Sequence, residues 1–241
     1  MNETTARRGD CVDGAAAITR SLLGWGVVAG IFYLVTGVTL GLTRAGFDFG
    51  RHSLSQLMLG GFGWAQAVNL ILSGLMTLAA AVGAGRAMRG SRGAPAASVL
   101  LGVYGVCLVA SAIFPPDPMA GFPAGATANE ASLSGLLHMV FGAIGFLSLA
   151  GAAFVVAGWF ARRGQPRQAL YSRVSGIVVA LGFLAGAAFS AGTLGVVLLW
   201  IAVVAGWAWL AVTSLRLYRT VPHPDAHRHN GSATSAVAPS A

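Results

Sequence analysis

The positions of the arginine residues constrain the fold of this chain most strongly. All 15 basic residues are arginines, and all but Arg44 and Arg51 fall in four groups that alternate with hydrophobic stretches. Short cytoplasmic segments of membrane proteins are enriched in basic residues. The pattern therefore predicts a multi-pass protein of the plasma (inner) membrane with both termini in the cytoplasm. The groups are Arg7, Arg8 and Arg20; Arg86, Arg89 and Arg92; Arg162, Arg163, Arg167 and Arg173; and Arg216, Arg219 and Arg228.

The hydrophobic composition defines the membrane domain. Charged residues make up only 9% of the 241 residues, whereas soluble domains contain about 25%. A helix needs roughly 20 apolar residues to cross about 30 Å of hydrocarbon. We predict an all-α integral membrane protein, a six-transmembrane-helix bundle over residues 21–217, with a cytoplasmic tail at 1–20 and a disordered cytoplasmic tail at 218–241. The predicted spans are 22–42, 62–84, 97–114, 136–160, 174–190 and 194–215.

The net charge of +8 predicts a membrane surface, and no nucleic acid, as the partner. The arginines flank apolar spans and do not form one soluble basic face, and anionic lipid headgroups at the cytoplasmic surface attract such clusters. No Asp, Glu, Lys or Arg lies in the middle third of any predicted span. Because ion-coupled transporters place ionisable groups near the bilayer midplane, the sequence disfavours that class.

Small residues recur at helical spacing in several spans. Gly26, Gly30, Gly37 and Gly41 fall on one face of the first span, and small residues allow helix backbones to approach closely in lipid. We predict that this face packs against other helices of the same chain. A homodimer, or a contact with another membrane protein, is the alternative.

Polar residues concentrate in two segments on the predicted non-cytoplasmic side, residues 43–56 and 114–138. In the second segment, prolines on both sides of Asp117 favour an extended backbone. Irregular loops of this length often form binding or active sites, so we predict that the two segments meet over a polar pocket. Their candidate pocket residues are His52, Ser55, Asp117, Glu130 and His138.

The second span carries a polar stripe, defined as Gln66, Asn69, Ser73 and Thr77. Their spacing places all four on one helix face, which must point into the bundle because lipid offers no hydrogen bonds. One interpretation is hydrogen bonding between helices, worth about 0.6 kcal/mol per bond. The other is the wall of a polar cleft beneath the loops, which adds Gln66, Asn69 and Ser73 to the candidate pocket.

No cofactor is predicted, but two histidines keep metal and haem hypotheses open. His52, His138 and Asp117 could ligate zinc, with Glu130 as a general base, in a membrane-embedded hydrolase. No local ligand spacing of the HExxH kind supports such a site. A haem held by the two histidines is a further alternative. The structural interpretation is that His138 closes the start of its helix or bonds to the facing loop, and that His52 and Asp117 pair with each other and so hold the two loops together.

Several segments resemble the membrane family named domain of unknown function 998. The more specific of them are Phe-Pro-x-Asp-Pro at 114–118 and Gly-x-x-His at 135–138; the others are Arg-His-Ser-Leu-Ser at 51–55, residues 64–69 with Gly74, Gly142, and Tyr171-Ser172. The resemblance covers residues 20–217 and implies a prokaryotic six-span membrane protein with no established biochemical role. It also implies that Ser55, Asn69, Asp117 and His138 are features shared with the family.

Three functional hypotheses follow from the sequence. The leading one is a membrane protein that binds a small molecule or a lipid headgroup in the non-cytoplasmic pocket. The second is the metal-dependent hydrolase, and the third is a structural partner that binds another membrane protein through its small-residue faces.

Overall fold

The computed structural model describes residues 14–119, 121–126 and 131–223. Within these ranges, six helices are long and apolar enough to cross a membrane. The predicted all-helical, six-span fold is confirmed. Glu130 and most of the two predicted tails lie outside the described residues. The helices are α1 (Gly14–Thr43), α2 (Gly63–Ala87), α3 (Ala94–Ile113), α4 (Leu133–Arg162), α5 (Pro166–Ala188) and α6 (Thr193–Thr220), and a short 3-10 helix (Leu54–Met58) precedes α2.

Most helices extend beyond the predicted apolar spans, because polar residues are stable at the ends of a membrane helix. Helix α1 begins at Gly14, well before residue 22, and the Thr19 hydroxyl donates to the Ala15 carbonyl at 2.8 Å. Helix α4 begins after Ser132, whose Oγ accepts from the Gly135 N–H at 3.0 Å, a typical N-cap. Both α3 and α5 carry proline in the first turn, where no N–H donor is needed. Hydropathy therefore identifies the central part of each helix and not its ends.

The six helices form a closed ring in chain order. Each helix packs against the next one along the chain, and α6 packs against α1. Large aliphatic side chains on the outside of the ring are mostly exposed: Ile31, Val35 and Leu181 are 61%, 60% and 61% exposed. Such extensive apolar surface is stable in lipid and not in water, which agrees with an integral membrane protein.

Glycines allow close contact at the helix seams. At the α2–α3 seam, a Cβ on Gly74 would lie 2.7 Å from the Gly105 carbonyl oxygen, and a Cβ on Gly105 would lie 2.9 Å from the Gly74 carbonyl oxygen. At the α1–α6 seam, a Cβ on Gly30 would lie 3.1 Å from the Trp207 Cβ. The face of α1 that contains Gly26 and Gly30 therefore packs against helices of the same chain.

The two ends of the ring differ in composition. The arginine end, defined as the end with the α2–α3 and α4–α5 connections, also holds the start of α1 and the end of α6. There Arg20 donates to the Val221 carbonyl at 2.9 Å and lies 4.0 Å from the Tyr218 ring centroid, and Arg86 donates to the Thr19 hydroxyl at 3.0 Å. The loop end, defined as the end with the α1–α2, α3–α4 and α5–α6 connections, contains the candidates His52, Ser55, Asp117 and His138.

Candidate functional site

The first loop is held by Arg44, one of the two arginines outside the four groups. Its guanidinium donates to the carbonyls of Leu57 at 3.3 Å and Leu59 at 2.6 Å, and it lies 5.3 Å from the Phe122 ring centroid in the second loop. Arginine can satisfy several carbonyls at once because its five donors are fixed in a plane. Arg44 is therefore part of the structure that covers the loop end.

His52 lies between the two loops. Its ring centroid is 5.6 Å from that of Phe47 and 5.5 Å from that of Phe122, and its Nδ1 accepts a hydrogen bond from the Asp48 N–H at 3.0 Å. In the neutral ring, the hydrogen is then on Nε2. His52 packs the first loop against the second through this aromatic cluster.

Gln56 joins the two loops by hydrogen bonds. Its Nε2 donates to the Asp117 carbonyl at 2.9 Å, and its Oε1 accepts from the Met119 N–H at 3.2 Å. A buried side-chain amide that pairs with a carbonyl and an N–H satisfies two backbone groups that lack water. Gln56 thereby fixes the backbone on both sides of Pro118.

Asp117 is bonded to the N-terminus of α4. Its Oδ2 accepts from the Ser132 N–H at 3.1 Å, and its Oδ1 accepts from the Ser132 hydroxyl at 2.5 Å. A carboxylate is stable at a helix N-terminus, where the unpaired N–H groups carry partial positive charge. The carboxylate also lies directly over Gly135, where an added Cβ would overlap it. Gly135 is thus the residue that allows Asp117 to reach Ser132.

His138, one turn further along α4, bonds to the end of α3. Its Nδ1 lies 2.8 Å from the Phe114 carbonyl oxygen and 3.2 Å from the Ser111 carbonyl oxygen. Because carbonyl oxygens only accept, Nδ1 must carry the hydrogen. In the neutral ring Nε2 is then an acceptor, and it is the nitrogen left for another partner.

A cavity of about 480 Å³ lies beneath the loops and inside the ring. All three connections at the loop end contribute to its wall, through residues 53–56, 116–119 and 190–191. Deeper in the bundle, aromatic residues from five of the helices form the wall. They are Tyr33, Tyr104, Phe141, Phe146, Phe183, Trp200 and Trp207.

Only some of the predicted pocket residues line this cavity. Ser55, Asp117 and His138 are in its wall, and Gln56, Ser111 and Gly142 accompany them. Of the other candidates that the structure describes, His52, Gln66, Asn69 and Ser73 are buried beside it and are not part of the wall. The cavity is polar at the loop end and apolar over most of its depth.

The polar stripe on α2 makes hydrogen bonds inside the bundle. Asn69 Nδ2 donates to the Tyr33 carbonyl on α1 and to Gln66 Oε1, each at 3.1 Å. The Ser73 hydroxyl donates to Asn69 Oδ1 at 3.5 Å, and the Thr77 hydroxyl donates to the Ser73 carbonyl at 2.7 Å. Of these contacts, the Asn69 bond to Tyr33 reaches a neighbouring helix and agrees with the first interpretation of the stripe, and the other three lie within α2.

The metal hypothesis gains no support from the site's geometry. Across the described ranges, no group of three or more His, Cys, Asp and Glu side chains lies together as metal ligands would. The carboxylate of Asp117 accepts from Ser132, and His138 uses Nδ1 at two carbonyls. Glu130, the fourth residue of that hypothesis, is outside the described residues.

Sequence reasoning did not identify Gln56 or the aromatic wall as parts of the site. Gln56 belongs to the polar first loop, but its partners lie more than 60 residues away, and no local spacing indicates them. The wall residues Tyr104 and Trp207 look like ordinary apolar positions of a membrane helix. A side-chain amide at the end of a polar loop is the one sequence signal that could have indicated Gln56.

Comparison with known proteins agrees with the fold. A family model described as "Protein of unknown function (DUF998)" matches residues 27–216. This chain belongs to the DUF998 family. No curated protein and no solved structure matches it. It is therefore an integral membrane protein of a family whose biochemical role is unknown, and the resemblance noted from its motifs is confirmed.

In this DUF998 protein the two more specific motifs contact each other. Residues 114–118 directly follow α3 and residues 135–138 lie near the start of α4, and they are joined by the His138 bond to Phe114 and by the fit of Asp117 over Gly135. The Ser134 hydroxyl adds a bond to the Pro115 carbonyl at 2.8 Å. The two motifs therefore form one structural unit at the rim of the cavity.

Proposed function

We propose that this protein binds a small molecule or a lipid headgroup in the cavity at its loop end. The observation that carries the proposal is the cavity itself, about 480 Å³ with Ser55, Asp117 and His138 in its wall. Ligand pockets are typically about 300–1,000 Å³ and are mostly apolar, with a few fixed polar groups. Both the volume and the composition of this cavity fall within that description.

The proposal includes the orientation of the chain in the plasma membrane. The start of α1 and the end of α6 lie at the same end of the ring, as the Arg20 bond to Val221 requires. Arginines flanking the helices at that end favour the cytoplasmic side and contact with anionic lipid headgroups. The cavity would then open away from the cytoplasm, and both termini would be cytoplasmic.

Cysteine labelling tests this orientation. In a chain with Cys11 and Cys107 replaced by alanine, we expect Gly61→Cys at the loop end to react with a membrane-impermeant maleimide in intact cells. Ala161→Cys, at the arginine end, should react only after the cells are permeabilised. Both positions are exposed, and Gly61 has no atom within 4 Å of an added Cβ. The reverse labelling pattern would overturn the proposed orientation.

A cavity-filling substitution tests the binding proposal. Gly142 lines the cavity, and an added Cβ there would make only ordinary contacts, 3.6 Å from the Phe183 ring. We expect Gly142→Leu to fold and to place its side chain in the ligand's space. Overpacking costs about 1–3 kcal/mol and about 1.4 kcal/mol is tenfold in affinity, so the affinity for the ligand should fall by roughly five- to 140-fold.

The measurement is mass spectrometry of the small molecules extracted from detergent-purified protein, expressed per mole of chain. Gly102→Leu is the matched control, because Gly102 is also a helical glycine and has no atom within 4 Å of an added Cβ. We expect the wild type and the control to retain the same molecule and Gly142→Leu to lose it. Equal amounts in all three proteins would count against the cavity as the binding site.

A further inference from the structure

The charge on the cavity wall restricts the ligand. Among the lining residues in the described ranges, Asp117 carries the only full charge, and neither arginine nor lysine is present. Sites that bind phosphate or carboxylate groups generally supply Arg, Lys or a free helix N-terminus. Here the N-terminus of α4 is already capped by Ser132 and Asp117. The lining side chains in the described ranges therefore offer no counter-charge to an anionic headgroup.

At the loop end of the wall, Asp117 and His138 offer hydrogen-bond acceptors, beside serine hydroxyls that can donate or accept. An ionised Asp117 carboxylate can only accept, and of its roughly four acceptor positions Ser132 occupies two. The Nδ1 hydrogen of His138 is used at the Phe114 and Ser111 carbonyls, which leaves Nε2 of the neutral ring as an acceptor. The complement of these two side chains is a ligand group that donates hydrogen bonds, and the serine hydroxyls can pair with such a group as acceptors.

The deeper wall suits an apolar chain. Tyr33 and Tyr104 lie 5.1 Å and 5.7 Å from Trp207, and Phe146 lies 6.2 Å from Tyr104 and 4.8 Å from Phe183, all measured between ring centroids. These contacts make one continuous aromatic surface. Between the rings, Leu108, Val196, Leu199 and Val203 add aliphatic side chains. Burial of a hydrocarbon chain against such a surface stabilises the complex, because it removes apolar area from water.

We propose that the ligand is an amphiphile whose head donates hydrogen bonds and carries no negative charge, such as a lipid with a free hydroxyl head. The head binds at the loop end, where Asp117 and Nε2 of His138 accept its hydrogen bonds. The apolar chain lies against the aromatic surface inside the ring. This inference rests on the proposed binding function and adds the chemical class of the ligand.

Two lipids that differ in one group provide the test. 1-Oleoylglycerol has an uncharged head with two hydroxyls, and 1-oleoylglycerol 3-phosphate has the same chain with one hydroxyl replaced by phosphate. We expect saturable binding of radiolabelled 1-oleoylglycerol to the detergent-purified full chain. The phosphate should compete at least about tenfold more weakly, because like charges brought together without water between them repel strongly.

Two substitutions test whether the Asp117 charge causes the preference and whether the lipid binds in the cavity. Asp117→Asn removes the charge and retains an oxygen that can accept from Ser132, so it should bring the affinities of the two lipids closer together. Gly142→Leu should reduce saturable binding of 1-oleoylglycerol, and Gly102→Leu should not. Because the comparison of the two lipids is made on the wild type, it stands even where Asp117→Asn fails to fold.

Each outcome decides a different statement. The inference is supported if the wild type prefers 1-oleoylglycerol to its phosphate and Gly142→Leu reduces the binding of 1-oleoylglycerol. Equal binding of the two lipids, with both lost in Gly142→Leu, overturns the headgroup class and leaves the proposed function intact. Binding of neither lipid overturns the class as well, and the proposed function is then judged by the extraction of bound molecules. Binding of both that persists in Gly142→Leu overturns the inference and the site together.

Discussion

Gly135→Ala is expected to destabilise the protein and to detach Asp117 from helix α4. The added Cβ would overlap the Asp117 carboxylate, which is held in place by two hydrogen bonds from Ser132. Neither group can move freely, because Gly135 is in the first turn of α4 and Asp117 is held by Gln56 through its backbone. Overpacking of this kind costs about 1–3 kcal/mol, which corresponds to a fall of roughly 2–12 °C in Tm for a chain of this size.

Thermal unfolding of the detergent-purified protein measures this effect. Gly102→Ala is the control, because a Cβ on Gly102 meets no atom within 4 Å and alanine is more stable than glycine inside a helix by about 0.5–1 kcal/mol. We expect Gly102→Ala to be neutral or stabilising. A Gly135→Ala protein as stable as the wild type would show that the carboxylate does not need the space above Gly135.

A double mutant separates the two parts of the effect. Asp117→Ala alone removes the bonds to Ser132 and also removes the atoms that the new Cβ would overlap. Gly135→Ala should therefore cost little when it is added to Asp117→Ala, although it costs about 1–3 kcal/mol in the wild type. Such non-additivity is the signature of direct contact between two positions. If the two losses of stability add, the effect of Gly135→Ala does not come from contact with Asp117 but from elsewhere in the first turn of α4.

The sequence predicts the membrane fold well because the relevant physics is local in the chain. A stretch of about 20 apolar residues must cross the bilayer wherever it occurs, and arginines at its ends act on the nearest interface. The limits of the helices are less predictable. Helix Gly14–Thr43 begins in a short alanine-rich segment before the apolar span, where Thr19 bonds to Ala15 and Arg20 reaches Val221, and hydropathy records neither contact.

The candidate site is less predictable because its contacts join distant parts of the chain. Asp117 and His138 were identified from residue type and loop position, but their partners Ser132 and Phe114 depend on how α3 and α4 meet. The periodicity of the polar stripe predicts that the stripe faces inward. It does not predict that Asn69 bonds to the Tyr33 carbonyl on α1. The cavity is the space left by the packing of all six helices, and no single segment of sequence contains it.

Gly26→Leu is expected to open the seam that closes the helix ring. Gly26 lies in α1 against α6, where an added Cβ would overlap the Ser214 hydroxyl and lie 3.0 Å from both the Ser214 Cβ and the Ala80 Cβ. Leucine brings three further carbons into that space. We expect a loss of stability of more than about 3 kcal/mol, above the usual overpacking range of about 1–3 kcal/mol, together with a large fall in the yield of monodisperse protein.

Gly24→Leu is the matched control, because Gly24 is in the same helix, two residues away, and has no atom within 4 Å of an added Cβ. Size-exclusion chromatography and thermal unfolding should show Gly24→Leu close to the wild type. A milder pair tests the cause: Gly26→Ala should destabilise, and Ser214→Ala, which removes the overlapping hydroxyl, should recover part of the loss. Equal behaviour of Gly24→Leu and Gly26→Leu would contradict the tight seam.

This seam also changes how a partner hypothesis must be tested. A substitution at Gly26 or Gly30 that abolished binding of another membrane protein would first be explained by loss of the α1–α6 contact, since both glycines face that seam. Substitutions on the outer face of α1, at the exposed Ile31 or Val35, leave the ring intact. Loss of a partner in those variants, with unchanged thermal unfolding, is the result that would support an assembly role for this DUF998 protein.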